Sequence, residues 1–192
     1  MSIFKQNDIR GIYGSELTNE MAIKIGRALV QYLKTINQNN NIIIGHDVRV
    51  SSKELFKYLS LGIRKEGFNI ENIGLCSTPL LTFAISRLEC ACGVMITASH
   101  NPKEYNGFKI YFNNGIPFSY DRGIKDIEKL VKENAIGKVS KINIHNDYKD
   151  YIKKFYSNIK PLKIVIDAGN GTIGKEIELI FGDFDCQIIP LY

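Results

Sequence analysis

Short apolar runs and segments of helical period take turns along most of this chain. Ile42-Ile43-Ile44-Gly45, Ile70 to Leu75, Cys92 to Ile96, Phe108 to Phe112, Leu162 to Ile166 and Gln187 to Leu191 have the length and composition of strands. After a Thr18-Asn19-Glu20 cap, Met21, Ile25, Ala28, Leu29 and Tyr32 repeat at helical spacing, with Lys24, Arg27, Gln31 and Lys34 on the other face. The spacing predicts a second helix over Lys53 to Lys65, with Leu55, Phe56, Leu59 and Ile63 inward and Ser51-Ser52 as its cap. A third runs from Thr78 to Arg87, with Pro79 in its first turn. A fourth covers Tyr120 to Asn134, with Ile124, Ile127, Leu130 and Val131 inward. Farther on, Tyr148, Tyr151, Ile152 and Phe155 form a stripe, and Lys149, Lys153 and Lys154 opposite it read as a solvated face. Phe4 to Gly14 reads as an irregular, glycine-punctuated opening, and Asn37 to Asn41 as a polar loop.

Strands separated by helices predict an α/β protein: a layered α/β/α domain around a mixed, mostly parallel sheet. The chain returns at Phe108 with no crossover helix, which predicts one antiparallel strand in that sheet. The polar, glycine-bearing stretch Gly137 to Asn143 is the expected boundary. It divides the chain into a first domain, 1–144, and the start of a second, similar α/β domain, 145–192.

Bulk properties narrow the picture further. The 192 residues are 44% hydrophobic and 23% charged, as in ordinary globular proteins. No apolar run approaches the roughly 18 residues of a membrane helix, and the N-terminus lacks a signal-peptide pattern, so the expectation is a cytoplasmic protein without membrane contact. A net charge of +5 without a dense basic block suits small anions and gives no case for nucleic acid. Cys76, Cys90, Cys92 and Cys186 show no metal or disulfide spacing and are expected to be buried free thiols.

The chemistry concentrates between Cys92 and Phe112. An apolar strand there breaks into a polar loop punctuated by Asn101-Pro102 and Asn106-Gly107, both turn dipeptides, and a strand carrying Lys109 returns. Ser99 is thus delivered to a sheet edge on a constrained loop. A hydroxyl that relays phosphoryl groups needs such positioning, together with cations to offset a charge of about −2. Lys109, Lys103 and His100 are the local candidates.

Thr97-Ala98-Ser99-His100-Asn101-Pro102, followed by Asn106-Gly107-Phe108-Lys109, resembles the active-site signature of the α-D-phosphohexomutases, in particular the phosphomannomutase/phosphoglucomutase branch. The resemblance implies that Ser99 carries the exchanged phosphate. It implies interconversion of hexose 6-phosphate and hexose 1-phosphate through a hexose 1,6-bisphosphate, which also acts as activator. It implies Mg²⁺ held against the phosphoserine, with Ser99 a ligand through its phosphate. Asp8-Ile9-Arg10-Gly11 matches the family's F-x-x-Y-D-I-R-G segment, with Asn7 in place of the tyrosine. Arg10 then takes the position that faces the phosphoserine and the substrate phosphate. Gly45, Asp47, Arg49 and Ser51 match G-x-D-x-R-x-S, where Asp47 and Arg49, with Asp8, are expected to support the serine loop. On this reading Lys109 and Arg10 stabilise transferring charge or shuttle protons, while His100 and Asn101 shape the loop, Asn101 on the substrate side. Asn106-Gly107-Phe108-Lys109-Ile110 favours this branch over phosphoglucosamine mutase, whose members tend to show N-G-I-K-F. A non-catalytic phosphate- or partner-binding module is the alternative from another class.

Gly169, Gly171 and Gly174 have dinucleotide-site spacing, but the acidic residue expected at the end of the next strand is missing. In the resembling family a glycine turn opens the second domain without binding NAD. The same family continues into a D-x-D-x-D-R metal loop and two further domains. The chain is therefore expected to be an N-terminal portion, inactive alone, with its C-terminal domains as missing partners. Asp183 and Asp185 are expected to be surface residues.

Overall fold

The alternation of Ile42, Ile43 and Ile44 explains the architecture. In the computed structural model, which describes residues 2–36, 39–130, 139–156 and 159–191, Ile42 and Ile44 enter one core and Ile43 the other. A strand buried on both faces needs helices on both sides. On one side lie α1 (Asn19–Ile36), α2 (Ser52–Lys65) and α4 (Ile124–Lys129); α3 (Thr78–Arg87) covers the other.

The remaining elements are β1 (Ile9–Ile12), β2 (Asn41–His46), β3 (Asn69–Leu75), β4 (Cys92–Ile96), β5 (Tyr105–Phe112), β6 (Val139–Lys141), α5 (His145–Lys153), β7 (Lys163–Ile166), α6 (Ile173–Phe181) and β8 (Gln187–Pro190). The main sheet has the order β1-β5-β4-β2-β3-β6. Only β5 runs against its neighbours, antiparallel to both β1 and β4, as the missing crossover helix requires. β7 and β8 pair in parallel across α6 as a separate two-stranded sheet.

Two expectations change near the site. The opening segment is not wholly irregular: Ile9–Ile12 pairs with β5, placing Arg10 opposite Gly107 and Gly11 opposite Asn106. Asn106-Gly107 is accordingly strand rather than turn. Gly107 is required there, because a Cβ on it would lie 2.3 Å from the Ile9 carbonyl oxygen. The polar stretch 137–143 also carries β6, whose Val139–Lys141 pairs with β3 at the edge of the main sheet.

The caps divide as well. Thr18 Oγ1 accepts from the Met21 amide at 3.1 Å, and Ser77 caps α3. Ser51 and Ser52 do not cap α2 with their side chains; both are drawn into the serine-loop network described below. The fourth helix spans Ile124–Lys129, following a turn in which the Arg122 amide donates to Ser119 O at 3.0 Å; Val131 to Asn134 lie outside the described residues. Cys76, Cys90 and Cys92 are buried free thiols, but Cys186 is half-exposed, on a short turn before β8. Among the described residues no helix is long and apolar enough to cross a membrane.

Candidate active site

β4 is buried at every position, so its C-terminal end is a rigid platform. The chain leaves it through Thr97 and turns at Ser99, which has φ of 56°, the left-handed region that a serine adopts only at a cost. The surroundings hold it there. The Ser99 amide donates to Thr97 Oγ1 at 2.9 Å, and Thr97 Oγ1 donates to Asp47 Oδ2 at 2.7 Å. Asp47 is itself fixed, accepting from the Arg49 amide at 3.0 Å, from Arg49 Nε at 3.2 Å and from Ser52 Oγ at 2.7 Å.

Arg49 supplies the second restraint. Its Nη2 donates to Ser99 O and Asn101 O, and its Nη1 to Pro102 O and Tyr105 O, at 2.7 to 2.9 Å. A planar guanidinium with several fixed donors suits this arrangement, and a lysine ammonium does not. Asn106, fully buried, donates from Nδ2 to Ser51 Oγ at 2.8 Å and Ser52 Oγ at 3.0 Å, tying β5 to the start of α2. The serines expected to cap that helix are therefore spent on the loop.

The loop presents Ser99 and His100 to solvent, and Ser99 Oγ lies 3.4 Å from His100 Nδ1. Ser99 lines a cavity of about 800 Å³ with Thr97, Arg49 and Lys103, and the turn Gly169 to Thr172 lines it too. Asn101 belongs to this cavity and to a neighbouring depression that Arg10 lines. Arg10 Nη1 donates to Asn101 Oδ1, and Arg10 is held by Asp8 through Nε at 3.1 Å and through Nη2. Asp8 is nearly fully buried, a paired acid rather than an exposed loop charge.

Ser99, His100, Asn101, Asp47, Arg49, Asp8 and Arg10 thus form one connected group. Lys109 joins none of these bonds: it lies opposite Met95, which lines the Ser99 cavity, and its side chain makes no hydrogen bond or ion pair among the described residues. Lys103 is the lysine that shares the cavity with Ser99. Thr97 and Asn106 sit inside the sequence signature, but their part as loop ties emerges only from partners about 50 residues away.

Among the described residues no magnesium site is formed. Both Asp47 oxygens and the Asp8 carboxylate already accept from their own donors. Among the described residues, no three His, Cys, Asp or Glu side chains converge on a point where a metal could sit. Asp183 is bound by Lys149 and Lys153, whose hydrogen bonds and charge hold its carboxyl at about 2. The glycine turn is shaped by internal bonds, from Gly169 N to Asp167 Oδ1 at 2.9 Å and from Gly171 N to Ala168 O at 2.7 Å.

Residues 1–138 match the profile described as phosphoglucomutase/phosphomannomutase, alpha/beta/alpha domain I. The chain belongs to this family. Within the phosphoglucomutase/phosphomannomutase family it is 36% identical over 200 residues to a phosphomannomutase of Vibrio cholerae, covering all of this chain and 43% of that one. It is 36% identical over 197 residues to a phosphomannomutase/phosphoglucomutase of Pseudomonas aeruginosa, covering all of this chain and 42% of that protein. A crystal structure of a phosphoglucomutase/phosphomannomutase family protein from Burkholderia thailandensis superposes with a TM-score of 0.91 at 30% identity, over 98% of this chain and 43% of that one. The chain thus spans less than half the length of these relatives.

Proposed function

We propose that this chain carries the phosphoryl-relay serine of a hexose phosphate mutase, converting hexose 6-phosphate to hexose 1-phosphate and back. The observation that carries the proposal is Ser99 itself: exposed, held at φ of 56°, and set in the wall of a cavity large enough for a phosphosugar. Kinship with phosphomannomutases supports the same reading.

In this scheme the P–O bond of phospho-Ser99 breaks as a hydroxyl of a hexose monophosphate attacks, forming a hexose 1,6-bisphosphate. The sugar hydroxyl gives up its proton and the Ser99 oxygen gains one; His100 Nδ1, 3.4 Å from that oxygen, is placed to exchange it. The bisphosphate then turns and returns its other phosphoryl group to Ser99. Lys103 in the cavity and Arg10 through Asn101 offset the moving charge. Lys109, whose cross-strand neighbour Met95 lines that cavity, is a further cation for the same task. Mg²⁺ goes with this chemistry in the family, and Ser99 would touch it only through its phosphate; a cytoplasmic setting belongs to the same reading.

Intact and peptide mass spectrometry after incubation with glucose 1,6-bisphosphate tests the proposal. One phosphate on Ser99, absent in Ser99→Ala, is expected, with no appreciable mutase turnover by the chain alone. A folded chain that takes up no phosphate, or takes it up elsewhere, overturns the reading.

A further inference from the structure

The turn that forms the far wall of the Ser99 cavity belongs to the β7-α6-β8 unit, and that unit is lightly anchored. Val165 on β7 is 58% exposed and Ile173, the first residue of α6, 41%. Two residues of α6 are exceptions, Ile180 and Glu176, and only the second is charged. Glu176 is 3% exposed, and neither lysine nor arginine pairs with it among the described residues.

A buried carboxylate needs hydrogen bonds to stay charged. Glu176 finds them on the other unit. Its Oε1 accepts from the Ser77 amide and its Oε2 from the Ser77 hydroxyl, both at 2.6 Å, across a sequence separation of 99 residues. Ser77 is the N-cap of α3, whose positive end favours an anion, and its Oγ also accepts from the Leu80 amide at 3.4 Å. Glu176 lies in the first turn of α6, directly after Gly169 to Thr172. Fixing it fixes the turn.

We infer that Glu176 is a positioning residue, whose clasp on Ser77 holds the turn Gly169 to Thr172 against Ser99 as the second wall of the phosphosugar cavity. The ligand named here rests on the function proposed above; the clasp does not.

The experiment compares wild type, Glu176→Ala, Glu176→Gln and a Lys175→Ala control on the exposed side of α6. Hydrogen exchange is followed at Ser77 and at 169–174, and Ser99 labelling is measured against glucose 1,6-bisphosphate concentration. In Glu176→Ala, exchange at both places rises at least about tenfold while the β4 amides stay protected. The half-saturating bisphosphate concentration rises about tenfold and the maximal labelling rate stays within about twofold, because no reacting atom is touched. Glu176→Gln recovers part of both effects, since its carbonyl still accepts from the Ser77 amide and the Ser77 hydroxyl can turn to accept from its NH₂. Should Glu176→Ala fail to fold, Ser77→Ala takes its place and is read at 169–174 alone, since it removes the α3 cap as well as the hydroxyl partner of Glu176. Exchange within twofold of wild type, or an equal effect from Lys175→Ala, overturns the clasp. A wild type that takes no label removes the phosphotransfer reading instead, and the exchange comparison still decides the clasp.

Discussion

The Ser99 amide donates to Thr97 Oγ1 at 2.9 Å, and that same hydroxyl passes its own proton toward Asp47 at 2.7 Å. A left-handed serine is thereby secured from below by a short chain of bonds ending on a carboxylate. The backbone strain at Ser99 and the polar chain beneath it are two parts of one device.

Separating the two parts gives the first prediction. Ser99→Gly and Ser99→Ala both lose the hydroxyl, but only glycine occupies φ of 56° without penalty. The glycine variant is expected to be the more stable by about 1 kcal/mol, after allowing for its greater freedom in the unfolded chain. Urea titration of the pair measures it; equal midpoints would show that the turn carries no strain. Thr97→Val, which strands the Ser99 amide, is expected to cost about 1–2 kcal/mol.

Arg49 holds four carbonyl oxygens at once. Arg49→Lys keeps the charge and loses the fork, so the expected loss is about 2 kcal/mol of stability, with Ser99 labelling slowed by about a hundredfold or more. Labelling at the wild-type rate in this variant would sink the idea that the loop must be braced.

The α1–α2 crossing supplies a matched pair of alanine substitutions. A Cβ at Gly62 would sit 2.2 Å from Ile23 O, and one at Gly26 would sit 2.4 Å from Leu59 O. Gly62→Ala is expected to destabilise by about 2 kcal/mol despite alanine's better helix propensity. Ser60 lies on the same helix, and its buried hydroxyl has no partner among the described residues. Ser60→Ala is expected to stabilise by about 1 kcal/mol. Thermal melts of the two variants should therefore move in opposite directions.

The thiols give a pH prediction. Burial pushes Cys76 up to about 12 and Cys90 up to about 11, and holds Cys92 well above the ordinary range. At pH 8 iodoacetamide should label Cys186 in the native chain and reach the other three only after unfolding. Because the folded values lie above the ordinary value of 9.0, the unfolded chain gives up these protons first. Their contribution to stability is complete below that value and is lost as pH climbs through the folded values, so denaturant midpoints should fall from about pH 9 upward. A flat profile over that range would contradict the burial.

The sequence spoke clearly where a local rule governed. Three isoleucines at 42–44 announced a strand, and the uninterrupted return at Phe108 announced the reversed β5. It misled where a local rule was overruled from a distance. Asn106-Gly107 reads as a turn, yet Gly107 is there to let β1 approach and Asn106 to bind Ser51 and Ser52. Those serines read as caps for the same reason. Ile9–Ile12 is too short and too glycine-rich to declare itself; only pairing with β5 makes it a strand. Within the site, Arg49 was legible as a support and its charge partner Asp47 lay two residues away. Glu176 was not legible, because nothing local ties it to a serine 99 positions earlier.

One consequence of the Arg49 fork concerns what can be added to this segment. A single flat cation reaches the backbone at 99, 101, 102 and 105, so the distance between its nitrogens acts as a gauge for everything strung between those points. An extra residue inserted there would carry one carbonyl out of range, whatever its side chain. The length of this stretch is fixed by that fork, independently of which side chains it carries.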